Sequence, residues 1–141
     1  LSRHSGRRRL AVWNFRKGCA EHVFVASHGS GSAESHVRSA CARVSNEDGS
    51  HLSSEGRALV AERYMGSYGV AYRLDGLDET NASLRPRCVV LHGWRYTTHL
   101  PIWPVATVGS WGCPVVSTRD METQDAILQR EQRVVLWAYM D

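Results

Sequence analysis

Short runs of alternating apolar and polar residues make up most of this chain, and glycine, serine, asparagine and aspartate separate them. Residues 10–15 (LAVWNF) alternate between two faces, with Val12 on one and Trp13 on the other, as in an extended strand. Residues 16–18 (RKG) then supply a turn before residues 22–27 (HVFVAS). The two segments predict a β-hairpin near the start of the chain.

Further segments predict strands later in the chain. Residues 70–74 (VAYRL) and 88–92 (CVVLH) have the character of central strands, and the second is almost continuously apolar. Residues 57–64 (RALVAERY) contain helix-favouring residues, but glycines bracket them closely and the context favours a strand. Residues 134–139 (VVLWAY) predict a final, buried strand.

One helix is predicted at residues 119–129, where Ser117 and Asp120 resemble a capping pair. Its apolar face would consist of Met121, Ile127 and Leu128. By contrast, residues 43–54 hold an Asp-Gly turn signal between polar arms, which predicts an exposed loop or a distorted hairpin. The pattern as a whole indicates a mainly β fold with one short helix in the C-terminal half.

Length and charge set limits on the class of protein. The chain has 141 residues, the size of one domain, and no apolar run approaches the roughly 20 residues of a membrane-spanning helix. Its net charge of +3 owes much to Arg3 and the arginines at 7–9, so residues 1–9 are expected to form a basic, flexible segment before a domain at 10–141. No basic stripe interleaves with aromatics, so we expect no nucleic-acid partner.

The first residue is leucine, and no basic-then-apolar leader precedes the first predicted strand. We therefore expect the chain to be a fragment or a processed product.

The four cysteines, Cys19, Cys41, Cys88 and Cys113, form no CxxC pair, so the sequence disfavours a structural zinc site. They allow three fully paired disulfide arrangements, but at most one internal bridge if one of them is a catalytic thiol. A metal site that combines Cys113 with the histidines at 28, 51 and 92 has no support from the spacing.

The stretch SWGCPVV places Cys113 between a glycine and a proline. Gly112 permits unusual backbone or a close approach by substrate, and Pro114 favours extended backbone at Cys113 and has no N–H. The N–H groups of Gly112 and Cys113 are therefore the local candidates for an oxyanion hole. A nearby histidine can lower a thiol pKa from its usual value near ~8.5.

His92 ends a predicted strand and is the candidate partner for that thiol. Cys88 lies four residues earlier, roughly 13 Å away at about 3.3 Å per strand residue, so it cannot be the partner of His92. On these residues alone, Cys113 as a small buried side chain and His92 as a backbone-satisfied histidine remain the alternative.

The run HGWRYTTHLPIWPVATVGSWGCPVV resembles the signature of the murein L,D-transpeptidase catalytic domain (YkuD-like), in the sub-family whose nucleophile precedes proline. Resemblance extends through VASHGSGS, VSNEDGSHLSSEG, YMGSYGVAYRLDGLDETNASLRPRCVVLHG and VVLWAY, and covers roughly residues 8–140. It implies a transpeptidase-like β-sandwich or barrel with one short helix.

By that resemblance Cys113 is the acylated nucleophile and His92 the general base, which a backbone carbonyl often orients in this family. Ser110, Trp111 and Gly112 match the motif around the nucleophile, and Gly93 follows the histidine as in the sub-family. The sequence departs from the family where Gly109 replaces an expected arginine and where HLPIWPVAT differs from the usual lid.

Several other residues could line the cleft, although each has a plain structural explanation. Ser53 and Ser54 fit turn chemistry equally well, and Arg73 could pair with Asp75 or Asp78 on the surface. Tyr96 and the tryptophans at 94, 103 and 111 could form a stacking wall or pack in the core.

The resemblance implies a peptidoglycan L,D-transpeptidase that acts through a cysteine acyl-enzyme, releases D-alanine from a stem tetrapeptide and cross-links third residues. The alternatives are an L,D-carboxypeptidase, in which water intercepts the acyl-enzyme, and an inactive envelope protein that only binds peptidoglycan. The expected partners are peptidoglycan stem peptides, with no metal, no organic cofactor and a monomeric state. The expected location is the bacterial cell envelope, periplasmic or secreted.

Overall fold

The computed structural model of the protein describes all residues, 1–141, and contains two β-sheets. The smaller sheet pairs β1 (Arg8–Asn14) with β2 (Cys19–Val25). The larger sheet consists of β3 (Gly56–Gly66), β4 (Gly69–Gly76), β5 (Val90–Gly93), β6 (Val115–Val116) and β7 (Val135–Ala138). Its strand order is β6-β5-β4-β3-β7. A 3₁₀ turn at Glu79–Asn81 and the helix α1 (Thr118–Arg130) complete the fold, so the mainly β class is confirmed.

The hairpin predicted near the start of the chain forms. β1 and β2 pair in antiparallel fashion with two irregularities in register, as the alternation at the start of the chain predicts. The segment whose helix and strand signals conflict becomes the long strand β3, which turns back into β4. Tertiary pairing on both sides of β3, with β4 and β7, therefore outweighs its local helix preference.

The helix is also confirmed, and its start follows the predicted capping chemistry. Ser117 is the N-cap, and its hydroxyl oxygen accepts a hydrogen bond from the Asp120 backbone N–H at 3.1 Å. Met121 is buried in the core and Leu128 packs against it, whereas Ile127 is half-buried outside that cluster. The apolar face of α1 is thus narrower than its sequence suggests.

Two strand predictions need correction. Cys88 does not belong to a strand: it has a φ of +55°, is exposed, and ends a series of turns, so β5 begins only at Val90. The last strand is not buried, because β7 lies at the edge of the sheet and pairs only with β3. Val135 and Trp137 consequently remain 48% and 66% exposed.

The core forms where the β1–β2 hairpin and α1 pack against the larger sheet. Its buried members are Phe24, Ala26, Ala58, Tyr72, Leu74, Leu84, Val89, Leu91, Val116 and Met121. A second tie joins α1 to the sheet: the Asp125 carboxylate accepts hydrogen bonds from Arg63 at 2.8 Å and from the Tyr72 hydroxyl at 2.6 Å. Helix and sheet are therefore fixed to each other next to β5, which carries His92.

The segments that sequence patterns treat as irregular make specific contacts. Within residues 1–9, Ser5 is fully buried and its hydroxyl donates to the Ser39 carbonyl at 2.6 Å. Residues 43–54 form a loop with an exposed tip at Asp48 and one isolated bridge to its own end. The division between a flexible segment at 1–9 and a domain at 10–141 stays a prediction.

Candidate active site

The pairing of two short strands brings the candidate nucleophile and base to one region. β5 and β6 are parallel neighbours, with His92 opposite Val115. Cys113 lies two residues before Val115, in the turn that leads into β6, and its sulfur is 3.4 Å from the Val90 backbone nitrogen on β5. The fold therefore brings together two residues that lie twenty-one positions apart in the sequence.

Cys113 and His92 line the same cleft, which has a volume of about 660 Å³. We call it the aromatic cleft because four aromatic side chains form much of its wall: Tyr68, Trp94, Tyr96 and Trp111. The rings are in mutual contact, with centroids 5.0 Å apart for Trp94 and Tyr96 and 6.1 Å apart for Tyr68 and Trp94. Such a wall favours apolar and stacking contacts with a bound molecule.

The Cys113 sulfur is turned inward in this structure. Sγ accepts a hydrogen bond from the Val90 backbone N–H at 3.4 Å and lies 4.0 Å from the Cys88 carbonyl oxygen. No hydrogen bond joins Sγ to His92. Burial raises the pKa of the Cys113 thiol, with the Val90 N–H acting in the opposite direction. The resting side chain is therefore a protonated thiol, and like the other three cysteines it is unpaired.

His92 is buried, at 7% exposure, and only one of its ring nitrogens has a protein partner. Nδ1 lies 2.9 Å from the Gly93 carbonyl oxygen, and since a carbonyl can only accept, Nδ1 carries the proton. Nε2 therefore presents a lone pair. Burial lowers the pKa of His92 below its ordinary value of 6.5, although the Gly93 carbonyl opposes this shift. The histidine is neutral at pH 7 and able to accept a proton at Nε2.

Tyr68 fixes the orientation of the His92 ring. The two rings stack with centroids 5.0 Å apart and planes 17° from parallel. Tyr68 lies in the turn between β3 and β4, far from the histidine in sequence, and no motif singles it out. Its position in a tight hairpin next to β5 is visible only once the sheet has formed.

The turn that carries Cys113 is held by Ser110. The Ser110 hydroxyl donates to the Cys113 carbonyl at 2.6 Å and accepts from the Gly112 N–H at 3.2 Å. Gly112 has a φ of +119°, a region that favours glycine, and a Cβ there would lie 2.9 Å from the Leu52 carbonyl oxygen. Of the two predicted oxyanion donors, the Gly112 N–H is thus already engaged, and the Cys113 N–H has no protein partner.

Gly93 has a packing role beside His92. A Cβ at this position would lie 2.8 Å from the Met121 Cβ and 3.2 Å from the Thr118 Cα. The absence of a side chain therefore lets the end of β5 approach the first turn of α1 closely. That approach sets the position of the histidine against the helix.

The four other predicted cleft residues divide between two regions. Tyr96 lines the aromatic cleft, whereas Ser53 and Ser54 are buried outside it. Arg73 also lies outside the cleft, with its guanidinium 4.6 Å from the Tyr64 ring rather than in an ion pair. Its suggested partners are engaged elsewhere, Asp75 by Arg85 and Asp78 by Arg57.

The aromatic and histidine residues near the motif have separate placements. Trp111 is 59% exposed, with its ring 5.3 Å from His51, while Trp103 lies outside the cleft beneath the Arg7 guanidinium. His36 also lines the aromatic cleft, with its ring 4.6 Å from Tyr96, and no sequence motif singles it out. No group of three or more histidine, cysteine, aspartate or glutamate side chains is arranged to hold a metal ion.

A comparison with protein families identifies the chain. The model of the L,D-transpeptidase catalytic domain (YkuD-like) matches residues 1–139, and the protein belongs to this family. The family acts on peptidoglycan peptides and is typically associated with the cell envelope. Searches of curated proteins and of solved structures found no significant match. Neither α1 nor the 3₁₀ turn has the length and apolar character that crossing a bilayer requires.

Proposed function

We propose that the protein is a peptidoglycan L,D-transpeptidase in which Cys113 is the nucleophile and His92 the general base. One observation carries the proposal: a free thiol in the turn before β6 and a neutral histidine on β5 with an unoccupied Nε2 line the same cleft. Membership of the L,D-transpeptidase family supplies the substrate class, the stem peptides of peptidoglycan. The expected location is accordingly the cell envelope.

The first half of the reaction forms a thioester. The Cys113 side chain turns from the Val90 N–H toward the cleft, and catalytic hydrogen bonds that are long or absent without substrate often form only in the complex. Sγ attacks the carbonyl carbon of the third stem residue while its proton passes to Nε2 of His92. The tetrahedral intermediate collapses, the proton moves from Nε2 to the amine of D-alanine, and D-alanine leaves.

The second half consumes the thioester. The amine of a neighbouring stem attacks the thioester carbonyl and gives a proton to Nε2 of His92, which returns it to the departing sulfur. The products are a peptide bond between third residues and the free thiol. In both halves the unpartnered Cys113 N–H is the proposed donor to the oxyanion, because Ser110 already occupies the Gly112 N–H.

The resting electrostatics suit this order of events. The His92 pKa is lowered and the Cys113 pKa raised, so the pair is neutral before substrate binds. The proton then moves from sulfur to His92 during the attack on the substrate, and no stable thiolate and imidazolium pair forms beforehand. The Gly93 carbonyl keeps the proton on Nδ1 and stabilises the imidazolium formed during each transfer.

The test compares the protein with Cys113→Ala, and with Cys19→Ala as a matched variant, since Cys19 is another free thiol and lies on β2. Each is incubated with a disaccharide tetrapeptide and followed by mass spectrometry. We expect D-alanine release and a cross-linked dimer from the unmodified protein and from Cys19→Ala, and neither from Cys113→Ala.

Two results would contradict the proposal. If the unmodified protein neither releases D-alanine nor gains an acyl adduct, the protein is not this enzyme. If Cys113→Ala remains active, the nucleophile is a different group. Release of D-alanine without any cross-linked dimer would instead identify the L,D-carboxypeptidase reaction.

A further inference from the structure

Arg87 is a half-buried cation next to the nucleophile turn, and no ion pair neutralises it. It lies in the turns before β5, and its guanidinium reaches into the loop of residues 45–54. Its four acceptors, all neutral, are the Ser45 carbonyl at 3.0 Å, the Ser54 hydroxyl at 2.8 Å, the Ser50 hydroxyl at 3.2 Å and the Leu52 carbonyl at 2.7 Å. The protein contains seven ion pairs, and none includes Arg87.

The loop that Arg87 holds lies directly beneath the nucleophile turn. The Leu52 carbonyl oxygen is 2.9 Å, and the Arg87 Nη2 3.3 Å, from the point that a Cβ at Gly112 would occupy. The next residue, Ser53, donates from its hydroxyl to the Gly112 carbonyl at 2.9 Å. Contacts therefore run from the guanidinium through residues 52 and 53 to the residue that precedes Cys113.

Arg87 also lies in the turn just before β5, the strand that carries the candidate base. The chain continues from it through Cys88, whose carbonyl oxygen lies 4.0 Å from the Cys113 sulfur, to Val90, whose N–H donates to that sulfur. The Arg87 side chain thus ties the loop beneath the turn to the segment leading into His92. A forked, planar cation can hold several acceptors in a fixed geometry, which a lysine cannot.

We propose that Arg87 is a positioning residue for the Cys113 nucleophile: it holds the 45–54 loop beneath Gly112 and places an unneutralised positive charge beside the thiol. The inference rests on the proposed function only in naming Cys113 as the nucleophile. Burial raises the pKa of that thiol, and the Arg87 charge is among the influences that lower it. A cation near a thiol favours the thiolate, so the charge partly offsets burial as the sulfur attacks.

The first experiment measures the charge effect without any transpeptidation. Iodoacetamide alkylation of Cys113 is followed peptide by peptide across pH in the unmodified protein, Arg87→Gln, Arg87→Lys and Arg85→Gln. Arg85 is the matched control, because it lies two residues away but pairs with Asp75 and Glu62. We expect Arg87→Gln to raise the pH midpoint by about 1 unit, and the other two variants to leave it near its original value. An unchanged midpoint in folded Arg87→Gln would overturn the charge effect.

The second experiment measures positioning. Arg87→Lys keeps the charge but loses the fork, so we expect kcat to fall about 10- to 100-fold with KM little changed. A kcat equal to that of the unmodified protein would overturn the positioning role, and Arg87→Lys carries this test even if Arg87→Gln fails to fold. The two proposals can fail separately. If the unmodified protein is inactive, the transpeptidase function is contradicted. If Arg87→Gln still raises the pH midpoint of Cys113 alkylation in that case, the role of Arg87 is supported.

Discussion

Two buried histidines, His28 and His92, have opposite hydrogen-bonding arrangements. His28 is 1% exposed and both ring nitrogens are engaged, Nδ1 by the Arg9 guanidinium at 2.5 Å and Nε2 by the Ser39 hydroxyl at 2.9 Å. Since a guanidinium only donates, the proton of His28 is on Nε2, whereas that of His92 is on Nδ1. His28 joins its own segment to those of Arg9 and Ser39, whereas His92 has one ring nitrogen without a protein partner. The number of free ring nitrogens, rather than burial, distinguishes the candidate base.

The largest expected effect separates the two histidines by activity. His92→Gln removes the proton acceptor, so we expect kcat to fall by about 10²- to 10⁴-fold. His28→Gln is the matched substitution, because glutamine can still accept from Arg9 and donate to Ser39, and we expect its kcat per folded molecule to stay within about 2-fold. D-Alanine release at a fixed concentration of folded protein measures both. If His28→Gln is inactive and His92→Gln is active, the assignment of His92 as the base is wrong.

The candidate nucleophile and base can be named from the sequence, whereas the residues that surround them in the fold cannot. Cys113 and His92 can be named as candidates because a cysteine and a histidine are the residue types that a thiol acyl transfer needs, and both occur in one motif. The strands also follow, since period-two alternation is local information. Cys88 shows the limit: its apolar neighbours extend the predicted strand, but a φ of +55° ends the pairing, and that backbone choice depends on the turns before it.

The supporting residues are invisible in the sequence for a related reason. Tyr68 and Arg87 reach the site through side-chain contacts with segments distant in the chain, the His92 ring for one and the loop at 45–54 for the other. No local pattern encodes such contacts. Exposure of β7 is likewise a property of the strand order, since the same residues would be buried in a central strand.

The second prediction concerns stability and tests the bracing role of His28. Burial, and next the charge of Arg9, lower the pKa of His28 from 6.5 to about 4. Between these values the unfolded chain binds a proton that the folded protein excludes, so stability falls as pH drops from 6.5 toward 4. The full shift corresponds to about 3 kcal/mol of unfolding free energy.

Urea unfolding across this pH range measures the effect. The slope of stability with pH should be smaller in His28→Gln than in the unmodified protein. His92 has a lowered pKa as well, so His92→Gln should also reduce the slope. Equal slopes in His28→Gln and the unmodified protein would show that His28 is not held neutral by the fold.

The third prediction tests how the base is placed against the helix. Gly93→Ala puts a Cβ 2.8 Å from the Met121 Cβ, so β5 or α1 must shift. Overpacking of this kind costs about 1–3 kcal/mol of stability. Because the His92 Nδ1–H donates to the carbonyl of this same residue, kcat should fall as well. Thermal unfolding and D-alanine release measure the two effects; Gly93→Ala with unchanged Tm and kcat would show that the approach of β5 to α1 is not tight.

The smallest expected effect concerns the tuning of His92 by its stacking partner. Tyr68→Ala removes the ring that covers one face of the imidazole, with a loss of stacking on the order of 0.5–1.5 kcal/mol. The acid limb of kcat/KM reports the His92 pKa, and we expect it below 6.5 in the unmodified protein because the base must be neutral. Exposure of the ring to water relieves the desolvation that lowers this pKa, so the limb should move to higher pH in Tyr68→Ala.

Tyr139→Ala, at an exposed position near the chain end, is the matched control and should leave the limb in place. If the acid limb of kcat/KM does not move in Tyr68→Ala, the strand, and not the stacked ring, is what shields His92 from water.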